Sequence, residues 1–336
     1  METLKPGTKT KKHSLAAIMK AAEISAPREM KIKPAKIPEP APAEVRIRLS
    51  GCGVCASSVP VWEGRKWFTY PQKTGAPGHE GWGYIDKTGD EAGNFKKGDR
   101  VAVLSYQAFA EYDIAPADSV VKLPQEFKSD IFLGEPLGCA MNIFRRSEIQ
   151  PGQQVAVIGA GFLGSLLIQL AKNAGARVIA LSQRPFSLEM AEKMGADCVI
   201  PLRDYHKIIR KVKTCTRNNF CERVIEATGT QTALDLAGEL TAVRGKLVIA
   251  GYHQDGQRQV NMQLWNWRGL DVINAHERET ASYMEGIRQA VEAVATGILN
   301  PEPLYTHRMP LSELDKAFEL LRKRPDGFMK AVMFYE

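Results

Sequence analysis

The sequence predicts an α/β protein in which a doubly wound parallel sheet is joined to a β-rich region. Two patterns support this class. Short strands between turn residues fill the first part of the chain, and strands then alternate with helices from about residue 154 to residue 274. A length of 336 residues is enough for two domains of ordinary size.

The first part of the chain has short apolar runs bounded by Gly, Pro and Asp. Val45–Leu49, Arg100–Leu104 and Phe109–Ile114 are typical strands of a β-rich domain. Near the end of the chain, Leu311–Leu321 has the spacing of an amphipathic helix, and Ala331–Tyr335 is a strand that needs a sheet to join.

The second part of the chain alternates strands with helices, which predicts a parallel sheet covered by helices on both faces. Helices are predicted from the glycine turn to about Ala174 and over Ser187–Met194. The predicted strands are Gln154–Ile158, Arg177–Leu181, Asp197–Ile200, Arg223–Ala227, Lys246–Ala250 and Asp271–Asn274.

A glycine motif follows the first of these strands and opens the first helix, as a Rossmann dinucleotide site requires. Gly159 permits the tight turn, Gly161 lets the backbone approach a pyrophosphate, and Gly164 allows the helix to pack closely on the strand. Phe162 and Leu163 complete the motif at the helix amino terminus, so all five residues are predicted to bind the cofactor.

Composition and charge exclude several classes of function. A hydrophobic content of 44% and the lack of a long apolar run predict a protein without a membrane span. Residues 1–15 contain four lysines and one glutamate and supply +3 of the net charge of +7, which leaves +4 for the rest. A net charge of only +4 on residues 16–336 predicts that the protein has no nucleic-acid partner. The cysteines lack disulfide-type spacing, which predicts a cytoplasmic protein.

Candidate metal ligands lie in the β-rich part. Cys55 lies in the glycine-containing stretch 51–58, and about two dozen residues later His79 and Glu80 lie between two glycines. Thiolate, imidazole and carboxylate are the ligand types that zinc binds. Ordinary packing of these three side chains is the alternative at this point.

Six motifs in order resemble the medium-chain dehydrogenase/reductase superfamily, in particular its zinc-dependent alcohol and polyol dehydrogenases. The resemblance covers nearly the whole chain. It implies a GroES-like catalytic domain around a Rossmann domain and hydride transfer between a nicotinamide cofactor and an alcohol or ketone. The motifs are residues 51–55, 78–83, 97–103, 135–137, 159–164 and 191–197.

The resemblance implies one catalytic zinc with Cys55, His79 and Glu135 as ligands. Cys139, one helical turn after Glu135, is the competing third ligand. Glu80 is expected to alternate as a ligand or to lie just outside the metal shell. No cysteine lies between Cys55 and Cys139, so the second, structural zinc of many relatives is not expected.

Ser57 matches the hydroxyl that passes the substrate proton to solvent in this family. Relatives often have aspartate at the next position, where this chain has Ser58. Proton transfer through the Ser57 hydroxyl is expected to be kept. The serine at position 58, in place of the aspartate of many relatives, changes the surroundings of that hydroxyl and of the zinc.

The end of the second Rossmann strand predicts a preference for NADP(H) over NAD(H). Sites that prefer NAD usually carry an acidic residue there, whereas this chain has Ser182 at that position, followed by Arg184. Arginine pairs well with a phosphate, while exposure to solvent is the alternative for this side chain. Asn274, at the end of a later strand, is a further candidate cofactor contact.

The predicted organisation is a flexible basic tail over residues 1–15, a catalytic domain formed by residues 16–135 and 296–336, and a Rossmann domain over residues 136–295. A small alcohol or carbonyl compound is the expected partner, with a polyol, sugar derivative or cyclitol favoured. The chain is expected to form a homodimer or homotetramer. The alternatives are a zinc-free quinone or enoyl reductase and a nucleotide sensor without catalytic activity.

Overall fold

A computed structural model describes residues 17–125, 127 and 130–335. The basic tail predicted for residues 1–15 lies outside this part of the chain. The strands are β1 Ile18–Ala26, β2 Glu29–Lys36, β3 Glu44–Gly53, β4 Gly81–Thr88, β5 Arg100–Val103, β6 Tyr112–Pro116, β7 Val120–Lys122, β8 Gln154–Ile158, β9 Arg177–Ser182, β10 Cys198–Pro201, β11 Cys221–Glu226, β12 Thr241–Ile249, β13 Asp271–Asn274, β14 His307–Pro310 and β15 Ala331–Phe334.

The helices follow the predicted alternation with the strands. They are α1 Val59–Glu63, α2 Gly134–Ser147, α3 Phe162–Asn173, α4 Pro185–Lys193, α5 Tyr205–Cys215, α6 Gln231–Leu240, α7 Met262–Arg268, α8 Thr280–Ala295 and α9 Leu314–Lys323. Within the predicted helix near the end of the chain, the first turn, Leu311–Glu313, is a 3₁₀ turn and the α-helix begins at Leu314.

The six-stranded sheet has the order β10-β9-β8-β11-β12-β13, and all its described pairs are parallel. The order reverses between β8 and β11, which places a crevice at their carboxyl ends, where ligands bind in such sheets. This arrangement confirms the predicted doubly wound fold.

The second large sheet has seven strands, in the order β14-β15-β3-β4-β5-β7, with β6 paired to β3. The final strand β15 pairs with both β14 and β3, so the end of the chain returns to the sheet formed by its first part. This return supports the division that we propose, with residues 16–135 and 296–336 around residues 136–295. β1 and β2 form a separate antiparallel pair.

One predicted strand, Phe109–Ile114, is misplaced. The strand runs over Tyr112–Pro116 instead. Phe109 and Ala110 are almost fully buried, so their apolar character reflects packing in the core rather than pairing in a sheet ladder.

Candidate metal and dinucleotide site

Adjacent ends of β3 and β4 bring the two ligand motifs together. The strands are antiparallel, with Cys52 opposite Gly81, so the residues after β3 meet those before β4. Cys55 begins a 3₁₀ turn just beyond β3, while His79 and Glu80 precede β4. The sulfur of Cys55, a ring nitrogen of His79 and a carboxylate oxygen of Glu80 lie within 4.8 Å of one another.

Hydrogen bonding fixes the orientation of the His79 ring. Nδ1 lies 2.8 Å from the carbonyl oxygen of Pro77. Because a carbonyl oxygen can only accept, Nδ1 must carry a proton, which leaves Nε2 as the ligand atom. Ser58, at the position where relatives often have aspartate, is buried with its hydroxyl 3.5 Å from the same carbonyl oxygen.

The electrostatics of the cluster suit a bound cation. Burial lowers the pKa of His79, but the negative charges of Cys55, Glu135 and Glu80 outweigh burial and raise it to about 10. A proton is therefore held strongly where a metal ion would bind. Thiolate, imidazole and carboxylate are a donor set that zinc accepts, so the residues present fit this metal.

Glu80 is fully buried and pairs with a lysine that sequence reasoning missed. Lys330 Nζ donates to Oε1 at 2.7 Å and lies 2.6 Å from Oε2, although Oε2 receives no hydrogen bond of good geometry. Burial lowers the pKa of Lys330, but the charges of Glu80 and then Cys55 raise it overall. A Cβ at Gly53 would lie 1.9 Å from Glu80 Oε2, so this position requires glycine.

Lys330 also joins the ligand cluster to the dinucleotide motif. Its ammonium group lies 4.9 Å from the centroid of the Phe162 ring, which opens α3. Phe162 also stacks on Tyr305, with ring centroids 5.9 Å apart. The candidate metal site and the candidate phosphate site are therefore separated by one lysine side chain.

Glu135 lies in the first turn of α2 and is not part of the three-residue cluster. Its Oε1 accepts a hydrogen bond from the Tyr283 hydroxyl at 2.8 Å, and the Cys139 sulfur lies 3.4 Å from the same oxygen. Burial raises the pKa of the Cys139 thiol well above its usual value, and the charge of Glu135 raises it further.

Ser57 lies beside the ligands, as the sequence predicts. Its hydroxyl oxygen is 3.2 Å from Cys55 Sγ and 3.5 Å from His79 Nε2. The side chain is partly exposed, so the hydroxyl can reach both the cluster and solvent.

The glycine motif has the geometry expected of a phosphate-binding turn. Gly159 has φ +103°, a conformation that favours glycine, and a Cβ at Gly164 would lie 1.9 Å from the Gly159 carbonyl oxygen. Nothing lies within 4 Å of a Cβ placed on Gly161, so the space beside it is open. Phe162 and Leu163 begin α3 with partly exposed side chains.

The remaining predicted cofactor residues lie at the carboxyl ends of strands. Ser182 ends β9 and is buried, while the guanidinium of Arg184 donates to the carbonyl of Phe328 at 2.6 Å rather than pointing to solvent. Asn274 ends β13, and its Oδ1 accepts from the backbone N–H of His276 at 3.2 Å.

An exposed aromatic side chain stacks on one of the candidate ligands. Tyr106 is 58% exposed, and its ring lies parallel to that of His79 with centroids 6.3 Å apart. Tyr252, also exposed, stacks on His276 at 5.6 Å. Trp62 is buried against Phe318 and so belongs to the core.

Comparisons with known proteins agree with this geometry. Residues 41–125 match the family described as alcohol dehydrogenase GroES-like domain, and residues 163–295 match zinc-binding dehydrogenase. The chain is 27% identical to sorbitol dehydrogenase of Bacillus subtilis (strain 168), covering 96% of this chain and 99% of the relative. It is 26% identical to L-threonine 3-dehydrogenase of the same strain, with coverages of 87% and 91%.

Among solved structures, an oxidoreductase of unknown specificity from Escherichia coli superposes with a TM-score of 0.85 at 23% identity, covering 95% of this chain and all of the other. The chain belongs to the medium-chain dehydrogenase/reductase superfamily and, within it, to the zinc-dependent alcohol and polyol dehydrogenases. It is an oxidoreductase of the zinc alcohol dehydrogenase type. In the described part of the chain, no helix is long and apolar enough to cross a membrane.

Proposed function

We propose that this protein transfers a hydride between NADP(H) and a secondary alcohol or its ketone at one zinc site. Cys55, His79 and Glu135 would hold the metal, with Glu80 as an alternating carboxylate. The observation that carries the proposal is the convergence of Cys55, His79 and Glu80 within 4.8 Å, one lysine away from the dinucleotide motif.

The bound zinc would supply Lewis-acid polarisation of the substrate oxygen, and the nicotinamide would exchange the hydride. The protein residues have separate tasks. The Pro77 carbonyl orients the His79 ring, Lys330 neutralises Glu80, and Ser57 carries the hydroxyl proton between substrate and solvent. Ser57 is suited to this relay because its hydroxyl lies 3.5 Å from His79 Nε2 and its side chain is partly exposed to solvent.

The proposed preference for NADP(H) concerns the end of β9. Ser182 offers no carboxylate to repel a 2′-phosphate. Burial lowers the pKa of Arg184, and the positive charge of Arg324 lowers it further, while the negative charge of Asp326 raises it, so one like charge and one opposite charge lie near this strand end. An anionic group bound there would relieve the repulsion between Arg184 and Arg324.

We propose a polyol, sugar derivative or cyclitol as the substrate class. Exposed aromatic faces at Tyr106 and Tyr252 would pack against the carbon skeleton, while the polar tips of these side chains would bind hydroxyl groups. A cytoplasmic setting is also proposed, since all six cysteines are free.

A homodimer or homotetramer remains part of the proposal. β13 is an edge strand of the six-stranded sheet with Val272 37% exposed, and the nearby Trp267 is 87% exposed. Exposed apolar groups beside an open strand edge are a common site of chain association. A solution mass equal to that of one chain would contradict this proposal.

The proposed activity is tested by a screen of linear and cyclic polyols and their ketones, in which the absorbance of the reduced cofactor is followed with NADP(H) and NAD(H). Metal analysis is done on the same sample. Turnover with one zinc per chain supports the proposal. Full activity without metal would identify a zinc-free reductase, and cofactor binding without any turnover would identify a nucleotide sensor.

A further inference from the structure

The first turn of α2 carries Glu135 to a place where a residue of α8, far along the chain, reaches it. Tyr283 Oη donates a hydrogen bond to Glu135 Oε1 at 2.8 Å, across 148 residues of sequence. The Glu135 side chain is buried, with 9% of the residue exposed. The described hydrogen bonds to its carboxylate both fall on Oε1.

Close packing between α2 and α8 explains why the Tyr283 hydroxyl is so well placed. A Cβ on Gly286 would lie 2.6 Å from the Gly138 carbonyl oxygen, and a Cβ on Gly138 would lie 2.7 Å from Ile287 Cγ1. A side chain at Gly286 would collide with the backbone of α2, and one at Gly138 would require the Ile287 side chain to shift. Because the helices touch at these glycines, Tyr283 is held rigidly above the first turn of α2.

The hydroxyl of Tyr283 also contacts Cys139, with 3.0 Å between Oη and Sγ. A tyrosine hydroxyl has one proton, and Glu135 accepts it. The single S–H proton of Cys139 has two acceptors within reach, the Tyr283 oxygen at 3.0 Å and Glu135 Oε1 at 3.4 Å. The same tyrosine thus engages both candidates for the third metal ligand, and it engages them differently.

We propose that Tyr283 is a positioning residue for the metal site. It holds Glu135 through Oε1 and leaves Oε2 to bind zinc, while its hydroxyl also contacts Cys139 Sγ at 3.0 Å. This inference rests on the proposed function, because it takes Glu135 to be the third ligand. It assigns a role to α8, whose sequence contains no metal-ligand motif.

The test compares Tyr283→Phe with Glu135→Gln, Cys139→Ala and the control Tyr112→Phe, which removes a half-buried hydroxyl from β6. The rate of zinc release to a chelator is measured for each full-length protein. The visible spectrum of the cobalt-substituted protein reports the ligand set, and circular dichroism reports folding. None of these readouts depends on turnover.

Tyr283→Phe should speed zinc release by about 10- to 100-fold, the usual effect of losing an outer partner of a ligand, and should shift the cobalt spectrum. Cys139→Ala and Tyr112→Phe should release zinc at the wild-type rate. In the Glu135→Gln background, Tyr283→Phe should have no further effect, since the group that it positions is gone.

The outcomes separate this inference from the proposal on which it rests. If Glu135→Gln loosens zinc and Tyr283→Phe does not, the positioning role is overturned and the ligand assignment stands. If Glu135→Gln leaves zinc binding unchanged, the ligand assignment fails and the inference fails with it. If Cys139→Ala releases zinc faster than Glu135→Gln, Cys139 is the ligand. Should Tyr283→Phe fold poorly, Tyr283→Leu, which is smaller and has no hydrogen-bond donor, gives the same comparison.

Discussion

Glu80 and Glu226 are both fully buried carboxylates, one beside each large sheet, and their surroundings differ. Glu226 ends β11, and its Oε1 accepts from the backbone N–H groups of Thr228 and Gly229 and from the Thr228 hydroxyl. Its Oε2 lies 2.9 Å from His253 Nε2. Both oxygens of Glu226 therefore have partners close by in the protein.

Glu80 has a distant cation instead of local donors. Lys330, 250 residues away, is its ion-pair partner, and Oε2 is left without a well-aligned hydrogen bond next to Cys55 and His79. The comparison teaches how two buried glutamates differ in use. A carboxylate that is saturated by the backbone orders a turn, whereas one with a spare oxygen among soft ligands is available to a metal.

Removal of a metal ligand beside Glu80 should have the largest effect. Cys55→Ala and His79→Ala should lose zinc and lower kcat/KM by at least about 100-fold, because loss of a direct ligand exceeds the cost of losing an outer partner. Metal analysis and steady-state kinetics measure both. Cys221→Ala, which removes a buried thiol from the six-stranded sheet, is the control. An active, zinc-free Cys55→Ala protein would show that the cluster is not a catalytic metal site.

The hydroxyl beside the cluster should matter next. Ser57→Ala should keep zinc and bind cofactor normally but lower kcat by roughly 100-fold, the contribution of a well-placed proton-transfer group. Single-turnover kinetics and a solvent isotope effect check this. Ser119→Ala, which removes a buried serine hydroxyl just before β7, is the control. If the chemical step in Ser57→Ala is as fast as in wild type, the proton takes another route.

The same substitution in the two glutamates tests the comparison directly. Glu80→Gln should speed zinc release and lower turnover by about 10- to 100-fold, as for other outer groups of metal sites. Glu226→Gln should leave zinc bound and lower the free energy of unfolding by about 1–3 kcal/mol, because the amide oxygen can keep the backbone donors but an NH₂ group would replace the acceptor that faces His253 Nε2.

Zinc content per folded chain and denaturant unfolding separate these two results. Lys330 loses its counter-charge in Glu80→Gln, so this protein should also be less stable. The contrast therefore depends on zinc retention rather than on stability. Equal zinc loss in both variants would remove the distinction between a metal-facing and a turn-ordering glutamate.

A smaller effect is expected at Arg184, whose guanidinium has donors to spare beyond its hydrogen bond to Phe328. As with the oxygen of Glu80 that lacks a well-aligned hydrogen bond, the N–H donors of Arg184 that have no partner among the described residues indicate that a ligand binds at this strand end. Arg184→Ala should lower the ratio of catalytic efficiencies with NADP and NAD by roughly 10-fold, the value of one charged hydrogen bond. Arg210→Ala, on α5, is the control. A wild-type preference for NAD, or an unchanged ratio, would refute the assignment.

Much of the fold was predictable because its signals are local in sequence. The strands β8, β9, β11 and β13 have the predicted bounds to within two residues. The resemblance carried by the motifs at residues 51–55 and 78–83 predicted that Cys55 and His79 lie together, and the adjacent ends of the antiparallel strands β3 and β4 bring these side chains together. A run of apolar residues in the sequence does not distinguish a buried loop from a strand. For this reason the strand predicted to begin at Phe109 was wrong.

By itself, the sequence determined the class of fold, the glycine turn and the chemical types of the candidate ligands, because periodicity and glycine chemistry act within a few residues. Only the tertiary structure decided that Lys330 faces Glu80 and that Tyr283 holds Glu135. It also decided that the Pro77 carbonyl orients the His79 ring. The partners of Glu80 and Glu135 lie 250 and 148 residues away. No local sequence pattern encodes these two pairings, because they form only when β15 joins β3 and α8 packs on α2. The distances between the paired side chains depend on packing that exists only in the folded chain.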